Sequence, residues 1–323
     1  MKKKIILVVK ILAVITFYVF LYKISIPHIE QLKEFYQING FNNIRLNLLA
    51  IAIILVIPNW LLESVKWFFT ISPIQTITLK TAIKGVLKGI PPSTFTPNRI
   101  GETVGRPTVL EANHRIEGGI ATLYCGISQM PIMLILTAVA SFYFAAQGTV
   151  FINEEYLTKP LFGIAALVAA VLVAVLFYNP KIFIPLVQKF KRTQPFANKL
   201  EFFARYTTHQ QNTLLLLSAV RYMIYCTQNY LTLKALGINI NILDGYTAIF
   251  LIYGIISFVP RPALAELGVR CSVSALVLSP FAPTPLLPAA ASALLWFINI
   301  LIPCIIGTFF YIKRKKHQKN FAQ

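Results

Sequence analysis

Hydrophobic residues in this chain fall into long, nearly unbroken runs separated by short polar stretches. They show neither the period-two alternation of a half-buried strand nor the narrow stripe of a soluble amphipathic helix. The first run, Ile5 to Ile26, is interrupted only by Lys10 and Lys23. Leu46–Ile71, Ile116–Gln147, Pro160–Tyr178, Thr213–Leu236, Asp244–Pro260 and Pro285–Ile312 follow it. Most of these approach or exceed the ~20 residues that a helix needs to cross a bilayer. A membrane barrel would instead show alternating segments of about 10 residues. The pattern predicts an all-α polytopic membrane protein, with Pro58 bending the second run and Pro131 the third. Residues 1–312 are expected to form a single integral membrane domain, and 313–323 a basic tail.

Two segments depart from this pattern. Lys80 to Ile90 carries Lys80, Lys84 and Lys88 on a short amphipathic stretch, which Pro91, Pro92 and Pro97 are expected to stop. Arg261 to Ser279 is likewise flanked by prolines and interrupted by polar residues. Counting the latter as a span gives about eight crossings. Six full crossings, with 244–260 and 262–279 forming a re-entrant hairpin, fit the pattern equally well. The first run follows Lys2, Lys3 and Lys4 but exceeds the about 7–15 apolar residues of a cleavable signal. Since Lys23-Ile-Ser-Ile-Pro27 offers no small-residue cleavage site, an uncleaved first helix is expected.

Composition narrows the class further. Of 323 residues, 56% are hydrophobic and 13% charged, with mean hydropathy +0.67. A soluble domain carries about 25% charged residues, so a soluble enzyme, a disordered tail and a secreted disulfide scaffold are excluded. The net charge of +19 invites a nucleic-acid reading, but membrane proteins gather Lys and Arg in cytoplasmic loops. The clusters here lie at the N-terminus, in 80–115, in 181–205 and at the C-terminus. Glu154 and Glu155 mark an acidic loop, and 237–243 is uncharged. Both termini are therefore expected in the cytoplasm of a bacterial cell, with the protein in its cytoplasmic membrane and no nucleic-acid partner. Cys125, Cys226, Cys271 and Cys304 lie far apart and read as packing residues. Without an HExxH or a GxxxxGK[ST] motif, no metal and no cofactor are expected.

The candidate chemistry sits where ionisable residues interrupt apolar sequence, at a cost on the order of 2.5–3.5 kcal/mol each at a helix centre. In Thr96-Pro-Asn-Arg-Ile-Gly-Glu-Thr-Val-Gly-Arg106, Glu102 and Arg106 stand at i, i+4 and share a helix face. Glu111 and Arg115 repeat the spacing. In Val259-Pro-Arg-Pro-Ala-Leu-Ala-Glu-Leu-Gly-Val-Arg270, Glu266 and Arg270 do so again, and a glycine lies between glutamate and arginine in both segments. Two such segments at corresponding points of the two halves are the pattern of broken helices in inverted-repeat transporters, where they meet near the midplane. Arg221 either snorkels to the interface or lines the same groove. Glu63 and Lys66 are expected to pair near the cytoplasmic end of their helix, and Trp60, Trp67 and Trp296 to sit in interfacial belts.

Thr-Pro-Asn-Arg-Ile-Gly-Glu (96–102) resembles the proline–arginine–glycine–glutamate motif of the lysylphosphatidylglycerol synthase transmembrane-region family, also called flippase-like domains. The segment Pro260 to Arg270 resembles that family's later motif, and hydropathy and motif order agree from the first helix to about Ile312. Asn98 stands where the family often has glycine, and Cys271 stands where it carries a glutamate after the Gly-Val core. In the full-length enzymes a soluble aminoacyl-transferase domain follows, and the 11 residues beyond Ile312 leave no room for it. The resemblance implies the lipid-translocating half without the lipid-synthesising half.

The leading expectation is a lipid flippase that moves a phospho- or aminoacyl-headgroup lipid through a polar groove. Arg106 and Arg270, then Arg99, are expected to receive phosphate through the guanidinium fork. Glu102 and Glu266 would face an aminoacyl ammonium, carry protons or hold the arginines. Arg221, Glu111 and Arg115 are secondary candidates, and no residue is assigned a catalytic role. Partners are the phospholipid itself, with a separate synthase and a homo-oligomer left open. Two other classes remain: a docking subunit that uses the basic 181–205 loop, and an integral lipid-modifying enzyme.

Overall fold

The computed structural model describes residues 44–94, 96–149, 160–189, 194–259 and 266–310, and every regular element among them is helical. The first apolar run, the acidic 150s loop, Pro260 to Ala265 and the 313–323 tail lie outside the described residues. Four helical stretches are long and apolar enough to cross a membrane: Leu46–Ile71, Ala112–Gln147, Pro160–Tyr178 and Leu286–Phe310. Ile242–Phe258 is shorter and equally apolar in character. The chain is an integral membrane protein built of helices.

Several of these runs are broken where the sequence lacks a backbone donor or changes direction. The second run divides into α1 (Leu46–Ile54) and α2 (Val56–Ile71), separated at Leu55. Pro58, which has no N–H for the carbonyl four residues back, accounts for that break. The third run divides into α5 (Arg115–Ile127) and α6 (Met130–Gln147). Here Pro131 does not kink a continuous helix as expected. It stands in the first turn of α6, where a missing N–H costs nothing, and the chain breaks just before it at Ser128 and Gln129.

The amphipathic stretch gives a second correction. Pro91 and Pro92 do not stop it: α3 runs from Leu79 to Thr94 straight through both. The carbonyls that these prolines leave without a helical donor are those of Leu87 and Lys88. Backbone glycines lie against both: a Cβ on Gly307 would fall 2.1 Å from the Leu87 oxygen, and one on Gly105 2.6 Å from the Lys88 oxygen. The prolines thus open carbonyls at the places where two other segments pack closest. After α3 come a 3-10 turn, Pro97–Arg99, and the single-turn helix α4, Glu102–Gly105.

Beyond α7 (Pro160–Tyr178) and α8 (Phe183–Gln188), α9 (Thr208–Ala235), the longest α-helix among the described residues, has 28 residues. At 1.5 Å per residue it is about 42 Å long. Thr207 begins it with a capping box: its hydroxyl accepts from the Gln210 N–H, and the Gln210 side chain accepts from the Thr207 N–H. The helix packs on α1, α2, α10 (Ile242–Phe258) and α12 (Leu286–Trp296). Its buried polar side chains bind outward into α1, α10 and the break between α5 and α6. Gln228 donates to the Ala52 carbonyl at 2.8 Å, Asn229 to the Tyr253 hydroxyl at 2.8 Å, and Ser218 pairs with Ser128 at 2.8 Å. After α11 (Glu266–Leu278), α12 passes into a π-helical turn at Phe297–Leu301.

The end of the basic 181–205 region, from Lys199 to Arg205, packs against the helices. Leu200, Phe202 and Phe203 are buried beside Tyr124 and Tyr206. Lys199 pairs with Glu117 at 3.1 Å, Arg205 donates to the Pro73 carbonyl at 3.0 Å, and the Tyr206 hydroxyl donates to the Thr70 carbonyl. Trp60 and Trp67 also correct the expectation of an interfacial belt. Both are buried, and their indole N–H groups donate to the Asn299 carbonyl at 3.1 Å and the Thr122 hydroxyl at 3.0 Å.

Lipid tails are as apolar as leucine, so helices in a bilayer associate by close packing through small residues. Gly254 of α10 is one such point: a Cβ there would lie 2.1 Å from the Thr137 side chain of α6. Gly254→Ala should destabilise the detergent-solubilised protein by about 1–3 kcal/mol through overpacking. Thermal unfolding should show a lowered midpoint that Thr137→Ala partly restores.

Candidate functional site

The site begins with the buried face of α2. Asn59, Trp60, Glu63, Lys66, Trp67 and Thr70 recur at three- and four-residue intervals, the period of one helical face, and all are buried. This polar face runs inside an apolar span, so each charge must find a partner within the protein. Glu63 supplies the partner for three cations. Its carboxylate lies 3.2 Å from the Lys66 ammonium, 2.7 Å from the Arg106 guanidinium and 3.3 Å from that of Arg221.

The segment after α3 delivers the next charges. Asn98 and Arg99 both have positive φ, 48° and 60°. Two consecutive non-glycine residues in this region cost about 1–2 kcal/mol each. Asparagine is among the residues that tolerate it, and a glycine at position 98 would adopt it freely. Thr96 tightens the same turn by accepting from the Gly101 N–H at 2.6 Å. Gly101 admits no side chain, since a Cβ would lie 2.2 Å from the Pro92 carbonyl oxygen. The turn therefore lays Arg99 and Glu102 beside α2. Glu102 binds Arg99 at 2.7 Å and also Arg106.

Trp60 forms the floor between the cations. The guanidinium carbons of Arg99 and Arg221 lie 5.7 and 5.9 Å from its ring centroid, within cation–π range. Arg221, on α9, also donates to the Gln129 side chain at 2.6 Å, across the break between α5 and α6. Of the two expectations for Arg221, lining the groove is the one observed. Arg106 is 3% exposed, yet its Nε and Nη1 have no hydrogen-bond partner among the described residues. Gly89 gives it room, because a Cβ there would sit 2.6 Å from the Arg106 side chain.

These residues line a cavity of about 450 Å³ that contains Lys66, Arg99, Arg106 and Arg221 against Glu63 and Glu102, four cations facing two carboxylates. Ile100, Leu123 and Met130 also line it, and all three are exposed on the outer surface. A second cavity of about 200 Å³ shares Trp60, Arg99, Gln129 and Arg221 with the first and adds Tyr225, Tyr253, Arg270 and Asn299. In it Arg270 receives Glu266 at 2.9 Å and donates to the Tyr225 hydroxyl at 3.1 Å. The two motif segments, more than 150 positions apart in sequence, thus border one connected polar space through Arg99 and Arg270.

The structure gathers Arg99, Glu102, Arg106, Arg221 and Arg270 around this space and sets Glu266 behind Arg270. Glu111 and Arg115 are exposed and line neither cavity. Glu111 exchanges hydrogen bonds with Gln75, and Arg115 donates to the Leu110 carbonyl at 3.4 Å. Glu63 and Lys66 do pair, but Glu63 holds two further cations that sequence reasoning did not give it. The available signal was their cost, since two ionisable residues in an apolar run of 26 call for more than mutual neutralisation. No group of metal-binding side chains occurs among the described residues.

A family model described as the lysylphosphatidylglycerol synthase TM region matches residues 5–307. No curated protein and no solved structure gives a significant match.

Removing one partner from a buried ion cluster strands the others in a low dielectric, which costs about 3–5 kcal/mol. Glu63→Ala should lose stability on that scale in thermal unfolding of the solubilised protein, while Glu111→Ala, at an exposed position, should change the midpoint little. At the strained turn, Asn98→Gly should leave stability unchanged or raise it, and Asn98→Val should lower it by about 1–2 kcal/mol.

Proposed function

Because the chain belongs to the lysylphosphatidylglycerol synthase transmembrane-region family, a group of membrane proteins linked to lipid metabolism, we propose that it is a lipid flippase. In this reading it moves a lipid with a charged headgroup between leaflets of a bacterial cytoplasmic membrane. It does so as a transporter, with no catalytic residue and no cofactor. The observation that carries the reading is the buried cationic cavity rimmed by exposed apolar residues.

The physical problem is the headgroup, since acyl chains are at home in hydrocarbon and a charge is not. A protein lowers that barrier by offering a polar chamber that the headgroup enters sideways while the tails stay outside. Ile100, Leu123 and Met130 are surfaces that tails can lie against, and Arg99, Arg106 and Arg221 stand just inside. Guanidinium groups receive phosphate oxygens in pairs through their planar fork. From there the connected second cavity leads to Arg270. Without a nucleotide-binding loop in the sequence, movement runs downhill, on a gradient or with a partner that supplies the energy.

The proposed topology has both termini in the cytoplasm and about eight crossings. The basic residues Lys80, Lys84, Lys181 and Lys189, all exposed and outside the four apolar spans, favour that orientation. The two proline-flanked motif segments that hold Glu102 and Glu266 would then belong to the two halves of an inverted repeat. A separate synthase that supplies the lipid is the natural partner.

The test is translocation of fluorescent phospholipid in proteoliposomes, read by dithionite quenching. Wild-type protein should accelerate crossing. Arg106→Ala should slow it about ten- to a hundredfold, the worth of a charge-assisted hydrogen bond of ~1.5–3 kcal/mol, and Arg106→Lys should recover part of the loss. A folded Arg106→Ala protein that moves lipid at the wild-type rate removes Arg106 from the mechanism.

A further inference from the structure

The proposed lipid can carry a phosphate, an aminoacyl ammonium or both, and the two chemistries make opposite demands on the cavity. A cationic headgroup needs unpaired carboxylate oxygens facing it. An anionic headgroup needs cations in excess and N–H groups with nothing to bind. The cavity has the second character on both counts.

The charges come first. Both carboxylates of the larger cavity are already shared, Glu63 among Lys66, Arg106 and Arg221, and Glu102 between Arg99 and Arg106. Adding the smaller cavity brings in Arg270 with its own partner Glu266, so among the described residues the excess stays at two positive charges. Inside a membrane protein such an excess is costly unless an anion balances it. The free donors come second. Arg106 is 3% exposed and lines the larger cavity, yet its Nε and Nη1 lack partners among the described residues. The Nε–H points to the Nη2 side and Nη1 lies on the Cδ side, so the two free groups are separate donors, while Nη2, common to both forks of the guanidinium, is held by Glu63 and Glu102. Trp60 and Gln129 hold Arg221 at the boundary of the two cavities.

We propose that this site selects a doubly charged phosphate headgroup, a phosphomonoester or a diphosphate, and rejects an aminoacylated cationic one. The assignment rests on the flippase reading for its lipid and on the cavity alone for its charge. Phosphate oxygens accept from the free Nε and Nη1 of Arg106, and Arg221 and Arg99 supply the remaining positive charge.

Binding can be measured apart from transport. Solubilised full-length protein at low salt is titrated calorimetrically with short-chain phosphatidic acid, phosphatidylglycerol, phosphatidylcholine, lysyl-phosphatidylglycerol and inorganic phosphate. Phosphatidic acid should bind about tenfold or more tighter than phosphatidylglycerol, and phosphatidylcholine and lysyl-phosphatidylglycerol should bind weakly or not at all. Arg106→Ala should lose the preference. Glu102→Gln, an isosteric change at a partly exposed carboxylate, should tighten phosphatidic acid several-fold, because the positive excess rises. Lysyl-phosphatidylglycerol binding as tightly as phosphatidic acid, or weakened anion binding in Glu102→Gln, overturns the proposal and leaves the flippase reading standing. Equal affinity for phosphatidic acid and phosphatidylglycerol overturns the double charge. Inorganic phosphate binding as tightly as phosphatidic acid upholds the phosphate site and overturns the lipid reading instead.

Discussion

The charges of the larger cavity are arranged around one buried carboxylate. Glu63 lies on a helix that is apolar on either side, and three cations from three parts of the chain converge on it. Lys66 comes from the same helix, Arg106 from the segment after α4 and Arg221 from the long helix α9. In a low dielectric none of these charges tolerates separation from the others. The cluster therefore ties α2, the motif turn and α9 together more firmly than lipid-like side chains can, since those pack no better against each other than against lipid tails.

The backbone around the cluster is shaped to admit it. Pro91 and Pro92 free carbonyls along α3, and Gly105 and Gly307 approach those carbonyls more closely than any side chain would allow. Gly101 sits against the Pro92 carbonyl and closes the turn that carries Arg99 and Glu102. The positive φ of Asn98 and Arg99 is the strain left by that turn, retained because the ion pairs and the Trp60 ring hold its far side. Motif glycines and prolines act here as geometry: they let a charged segment pack closely against the helices.

How much of this was legible varies from one residue to the next. The long apolar runs announced the helices because the bilayer demands length and apolarity before anything else. The Glu102–Arg106 and Glu266–Arg270 pairs were legible because helical spacing alone brings them together. The same spacing was no guide at Glu111 and Arg115, where a polar turn faces outward and the side chains bind Gln75 and a backbone carbonyl instead. The breaks near Pro58 and Pro131 lie in the expected neighbourhoods, but Pro131 starts a helix, and Pro91 and Pro92 lie in the interior of one that they were expected to stop. Local rules say what a proline removes. They do not say which neighbour will cover the carbonyl it leaves.

By itself the sequence determined the class of the protein, the stretches that become helices and the residues whose burial would be costly. Those follow from composition and from periods of a few residues, which are properties of the chain before it folds. Tertiary structure alone decided that Glu63 serves Arg106 and Arg221, that Trp60 lies beneath two guanidinium groups, and that Arg99 and Arg270 border the same space. Each of these joins residues from helices far apart in sequence. Which charge meets which is settled by how the helices pack, and the spacing along any one of them carries no record of it.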